Sequence, residues 1–200
     1  MVSNAAKHRN NPLFMENAIS TVENSVAKMN RLLKHFRDGA QDDPKQVDLA
    51  RLLDEVVRDA QTTKPVPSFE CHTRDVTVAA DRDRLASVVG HVIRNAQEAT
   101  PEDGKVVVEL RKVNGSAVVE VRDTGCGMDE NFIKARLFHP FQTTKGESGM
   151  GIGVYEAREF VRALGGDIHV ESKPGVGTVF RIHLPHLSLE KPLIFKQGSR

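Results

Sequence analysis

Apolar side chains recur near the start of the chain at Met15, Ile19, Val22, Val26, Met29, Leu33 and Phe36, alternating between four- and three-residue steps. That spacing draws a narrow heptad seam along one helix. Glu23, Lys28, Arg31 and Lys34 surround the stripe. The seam therefore predicts a helix over about 13–37 that packs on other helices, from an upstream segment and a second subunit. A helix lying on its own domain is the alternative. Asn11 suits the cap and Pro12 the first helical position. The polar run RDGAQDDPK then separates residues 1–40 from a second unit expected over 45–186, with a tail over 187–200.

In that second unit the period changes repeatedly. Gln46 to Asp48 reads as a short strand, and Leu49, Leu52, Leu53, Val56 and Val57 as an amphipathic helix of three turns. Phe69 to Cys71 and Val76 to Val78 are expected as short strands around a turn at Thr73 to Asp75. Asp81 caps a helix with apolar positions at Leu85, Val88, Val89, Val92, Ile93 and Ala96, ending before Pro101. Lys105 to Val113 and Ala117 to Arg122 alternate and are joined by Asn114-Gly115, a hairpin signal. Asn131 to Leu137 predicts a short helix, and Val154 to Leu164 a longer one stopped by Gly165-Gly166. Asp167 to Ser172 and Thr178 to Leu184 form a last hairpin around KPGVG. The expected fold is α+β: a two-layer sandwich, one mixed sheet under about three helices. The alternation of a Rossmann fold is absent, so the glycine clusters are not read as a dinucleotide fingerprint.

Composition narrows the function. A net charge of +1 and the absence of Trp argue against a nucleic-acid partner. The apolar runs fall short of a membrane span, so membrane contact is expected only through parts outside this sequence. Cys71 and Cys126 lack metal-ligand spacing and suit free thiols in a cytoplasmic protein.

Chemistry concentrates between Asp123 and Gly153. Asp123 ends a strand, where its carboxylate can accept from the exocyclic amine of adenine. Gly125 and Gly127 let the backbone turn beneath a base, and Met128 offers a soft packing surface. Asn95 carries an amide oxygen of the kind Mg²⁺ takes. His91 lies one turn earlier on the same helical face, with Glu98 nearby. Phe138-His139-Pro140-Phe141 is an apolar clamp for a lid in which Thr143, Thr144 and Lys145 supply hydroxyls and a cation. Gly149, Met150, Gly151, Ile152 and Gly153 lead into a helix whose first amides suit phosphate. Thr178 brings a hydroxyl near the base.

HVIRNAQEAT, DTGCGM, FxPF, TTK and GMGIG, in this order and spacing, resemble the Bergerat ATP-binding fold of histidine kinases, gyrase-type topoisomerases, mismatch-repair ATPases and ATP-driven chaperones. The likeness covers about 45–185. The FxPF box and TTK lid resemble sensor histidine kinases, and the wording from Arg136 to Ser172 is similar to kinases of bacterial exosortase (PEP-CTERM) systems. The helix over 13–36 resembles the second helix of their dimerisation hairpin.

The resemblance implies ATP and Mg²⁺ as cofactors, Asn95 as the metal ligand and Asp123 as the adenine contact, with Thr178 close by through water. It places Gly125 and Gly127 in the base pocket, Thr144, Lys145 and Gly149 to Gly153 around the phosphates, and Phe141 at the lid anchor. The implied reaction is transfer of the γ-phosphate to a histidine for relay to a response regulator Asp, in a homodimer. Two departures stand out. Many histidine kinases have Asn where this chain has His91, which is left to bind phosphate or metal or to orient water. HRNNPL, with His8, is one residue short of an HExxNPL acceptor box, so the acceptor is expected upstream of Met1, with His8 as the alternative. The alternatives are an ATPase of the same superfamily, which would have Glu in place of His91, an anti-sigma-like serine kinase, and a module that only binds nucleotide.

Overall fold

The computed structural model describes residues 45–142 and 151–187. The heptad segment, His8, the tail and Thr143 to Met150 lie outside the described residues.

The described chain runs β1 (Lys45–Asp48), α1 (Leu49–Ala60), β2 (Ser68–Cys71), β3 (Thr77–Ala80), α2 (Arg82–Ala99), β4 (Val106–Val113), β5 (Ser116–Asp123), α3 (Glu130–Ala135), α4 (Gly153–Ala163), β6 (Asp167–Lys173) and β7 (Gly177–Pro185). Helix starts follow local chemistry. The Asp48 carboxylate accepts from the Arg51 amide at 3.2 Å, and Asp81 accepts from Arg84 at 2.8 Å. Each cap satisfies a first-turn donor that has no partner within its helix. The turn between β4 and β5 places Asn114 at φ 49° and Gly115 at φ 79°, the double positive φ of a two-residue hairpin.

Two sheets form, where the sequence suggested one. The larger has the order β2-β4-β5-β7-β6, and the smaller pairs β1 with β3. The turn expected at Thr73 to Asp75 does not make a hairpin. β2 instead runs parallel to β4, pairing Glu70 with Glu109, while β3 pairs antiparallel with β1. His72-Thr73-Arg74-Asp75 contains neither Gly nor Asn to take the positive φ of a tight hairpin. Separating the strands also lets Val76, Val78 and Ala80 of the β3 segment be buried in the core.

α1, α2 and α4 cover one face of the large sheet. Leu52, Leu53, Leu85, Val89 and Ile93 from the helices meet Val108, Leu110, Val119, Val121 and Ile182 from the strands, all at most 1% exposed. The opposite face is polar. There Arg111 bonds Glu109, Arg122 bonds Glu120, and Arg181 bonds both Glu120 and Glu171 at 2.7 Å. Burial works to raise the Glu120 carboxyl, but bonds from Arg181 and Arg122 outweigh it and hold it below its ordinary value. Gln97 ties the helical layer to the loop after α1. Its Nε2 lies 3.0, 2.7 and 3.1 Å from the carbonyls of Ala60, Thr63 and Pro65.

Candidate nucleotide site

The site is built where β5 ends, β7 begins and α2 ends. Asp123 and Thr178 are register partners, and each is 4% exposed. The Asp123 Oδ1 accepts from the Gly125 amide at 2.8 Å and from the Thr178 amide at 3.2 Å. Burial pushes the Asp123 carboxyl up from its ordinary value, and these two amides oppose the shift. Both bonds fall on one oxygen, so the local backbone fixes the carboxylate without using Oδ2.

The loop after Asp123 is held on three sides. The Cys126 amide donates to the Ala99 carbonyl at 2.9 Å, and the Cys126 carbonyl accepts from Gly175 at 2.8 Å. The Thr124 amide donates to the Lys105 carbonyl at 3.1 Å, while its hydroxyl accepts from the Lys105 amide at 2.9 Å. Gly125 is required by crowding: any Cβ there would collide with the Ala99 carbonyl. Gly127 is required by conformation, with φ at 67°.

Ser172 completes the row and was missed by sequence reasoning. Its hydroxyl accepts from the Met128 amide at 2.8 Å and lies 2.9 Å from both the Thr178 hydroxyl and the Gly177 carbonyl. The signal was present. Ile168, Val170 and Ser172 alternate along β6, and the hairpin register sets Ser172 opposite Thr178.

α2 reaches from this loop toward α4. Ala99, Asn95 and His91 are spaced by four residues on one helical face, so they span about 12 Å. Asn95 and His91 are half-buried and Glu98 is exposed. At the far end the His91 ring stands against Gly153, the first residue of α4. Gly151 has φ at 63° and rests on the backbone of Gln142. Gln142 and Gly151, the residues on either side of 143–150, are thus in contact. Ile152 is buried at 7% exposure.

The structure therefore brings Asp123, Gly125, Gly127, Met128 and Thr178 together. It sets Asn95 and His91 on the helix that joins them to Gly151, Ile152 and Gly153. Thr143, Thr144, Lys145, Gly149 and Met150 lie outside the described residues. Phe141 departs from its expected role as an anchor. It is 59% exposed with φ at 65°. Phe138 carries the packing instead, with the Arg158 guanidinium 4.1 Å from its ring centre. Arg158 is fixed in turn by Asp167 at 2.8 Å.

Among the described residues, the Asp, Glu, His and Cys group able to share an ion is Glu70, His72 and Glu109, with ligand atoms within 4.8 Å of one another. It belongs to β2, β4 and the residue after β2, apart from Asn95. Among the described residues no carboxylate cage surrounds Asn95. An amide oxygen with little other protein ligation suits an ion that keeps waters and takes phosphate oxygens, as Mg²⁺ does.

Residues 80–188 match the family of histidine kinase-, DNA gyrase B- and HSP90-like ATPases. The chain belongs to that family. Within it, the relatives are sensor kinases. The chain is 31% identical over 137 residues to the sensor protein DivL of Caulobacter vibrioides, covering 68% of this chain and 18% of DivL. It is 34% identical over 108 residues to sporulation kinase D of Bacillus subtilis, covering 54% of this chain and 21% of that kinase. The matches thus span about a fifth of these relatives. The solved catalytic domain of the histidine kinase ThkA is similar in fold, with a TM-score of 0.60 at 30% identity over 71% of this chain and 95% of that one. The domain is an ATP-binding catalytic domain of the histidine kinase type. No helix among the described residues is long and apolar enough to cross a membrane.

Proposed function

We propose that the protein containing this domain transfers the γ-phosphoryl group of ATP to a histidine, from which it passes to an Asp of a response regulator. The observation that carries the reading is Asp123, a buried carboxylate fixed through Oδ1 by two amides. That leaves Oδ2 to accept from the adenine amine; guanine presents a carbonyl at the same point. Thr178 and Ser172 supply hydroxyls beside it. The nucleotide lies along α2, with its phosphates toward Gly151 and Gly153, where the first amides of α4 face anionic oxygen. The segment between Gln142 and Gly151 carries further donors for phosphate in its sequence: the Thr143 and Thr144 hydroxyls, the Lys145 cation and the amides of Gly149 and Met150.

Mg²⁺ fits as a bound ion held by Asn95, waters and phosphate oxygens; when bound it neutralises developing phosphate charge. In the transfer, the bond from the γ-phosphorus to the bridging oxygen breaks and a phosphorus–nitrogen bond forms. ADP leaves, and the imidazole proton passes to solvent. The acceptor belongs to a dimerisation segment, a reading that the heptad spacing from Met15 to Phe36 supports. ThkA has been solved in complex with the response regulator protein TrrA, which supports a receiver domain as partner. His91 weighs against a hydrolysing machine, because an imidazole fixed by Arg94 replaces the carboxylate that would activate water.

The test supplies a dimerisation hairpin bearing an acceptor histidine in trans, with γ-labelled ATP. Acid-labile label on the hairpin, passed on to a receiver domain, is the expected result. Rapid release of inorganic phosphate with no labelled protein, or stable label on Ser, would reject the reading.

A further inference from the structure

One hydroxyl, that of Ser172, joins the loop after β5 to the hairpin of β6 and β7. Asp123, Thr178 and Ser172 are register partners across β5, β7 and β6, so their side chains share one face at the end of the sheet. A hydroxyl has one proton to give and two lone pairs to fill. At Ser172 all of these are spent. The Gly177 carbonyl, 2.9 Å away, only accepts, so it takes the Ser172 proton. The Met128 amide, 2.8 Å away, only donates, and fills one lone pair. What remains for the Thr178 hydroxyl, also at 2.9 Å, is the second lone pair, so Thr178 is the donor of that pair. Thr178 is buried at 4% exposure. Its proton is thus turned toward β6, and it offers the base pocket lone pairs alone.

We propose that Ser172 is the positioning residue that sets the polarity of the Thr178 hydroxyl, and through it the recognition of adenine at N1. The proposal rests on the nucleotide reading of the site. N1 lies beside the amine-bearing carbon of adenine and presents a lone pair without a proton. A Thr178 hydroxyl that only accepts cannot bond N1 directly, and the Asp123 carboxylate likewise only accepts. A water that donates one proton to N1 and the other to Thr178 satisfies both. Ser172 touches no nucleotide atom in this arrangement. It acts by keeping Thr178 an acceptor, which holds the water in the one orientation that serves adenine.

The test measures binding of ATP, and of 1-deaza-ATP in which C–H replaces N1, to the 200-residue chain. The wild-type chain should prefer ATP by about tenfold. Ser172→Ala should reduce that preference to about twofold or less, whatever it does to the two affinities themselves. A preference that survives while both affinities fall together would make Ser172 merely structural and overturn the proposal. Ser172→Cys fills nearly the same space with a weak hydrogen-bonding group, so it should lose the preference as Ala does. A preference kept with Cys overturns the role of the hydroxyl. Thr178→Val should remove the preference by itself, and adding Ser172→Ala should leave the ratio where Val put it. Effects on the ratio that add in the double variant overturn action through Thr178. A wild-type chain that binds ATP and loses it in Asp123→Asn, yet does not distinguish 1-deaza-ATP, would sink this proposal alone. A wild-type chain that binds neither ATP nor its analogue would sink the site reading beneath it.

Discussion

Asp123 occupies a position that disfavours its charge. Buried at 4% exposure with a raised pKa, its carboxylate is less stable there than in the unfolded chain. The contribution of this group to folding is fully present below the unfolded value of about 3.9 and is lost as pH rises through the folded value. Binding has the opposite sign, because adenine's amine needs the ionised acceptor. ATP affinity should therefore begin to fall on acidification at a pH above that of an ordinary Asp. Asp123→Asn should bind ATP poorly at every pH yet keep the fold, since its amide oxygen can accept from Gly125 and Thr178. Calorimetric titrations from neutral pH toward about pH 4 would check both statements. Asp123 was legible from its place between a strand and two glycines. The reason for Gly153 was not, because it depends on a ring 62 positions earlier in the chain (153 less 91), which only the fold brings to it.

At the scale of elements, α2 is the part on which both ends of the site depend. Its Ala99 carbonyl holds Cys126 and excludes a side chain at Gly125, and its His91 abuts Gly153. Loosening its first turn should disturb the site less than the fold. Asp81→Ala removes the side-chain cap on Arg84 and should lower stability by about 1 kcal/mol. Urea denaturation would show the shift, with ATP affinity retained under native conditions. The helices and antiparallel hairpins could be read from sequence because period, caps and turns are local. The parallel pairing of β2 with β4 could not. The chain passes through β3 and α2 between those strands, and no turn residue marks the partnership.

Across the whole domain, Asp167 connects layers. It binds Arg158 and Arg162 of α4 from the start of β6, and Arg158 covers Phe138 near the start of the lid. The Arg158 hydrogen bond, helped by the Ile168 amide and Arg162, holds the Asp167 carboxyl far below its ordinary value. Its folded pKa is depressed, so its stabilising effect is present above about pH 3.9 and is lost as pH falls through the folded value. Asp167→Asn should therefore lower stability by roughly 1–2 kcal/mol at neutral pH, discounted for partial exposure. The gap between variant and wild type should narrow in urea titrations near pH 3. An unchanged gap would show that charge is not its source.

Glu and Arg stand side by side across the open face of the large sheet, and its outer strands carry Glu70 at one edge and Glu171 and Lys173 at the other. An unpaired strand edge is ordinarily a template on which another chain can polymerise. Here the β6 edge carries Glu171 and Lys173 and the β2 edge carries Glu70, charges that work against pairing with a neighbouring strand. In the proposed dimer, these charges would work against sheet-edge pairing between the two copies of the domain.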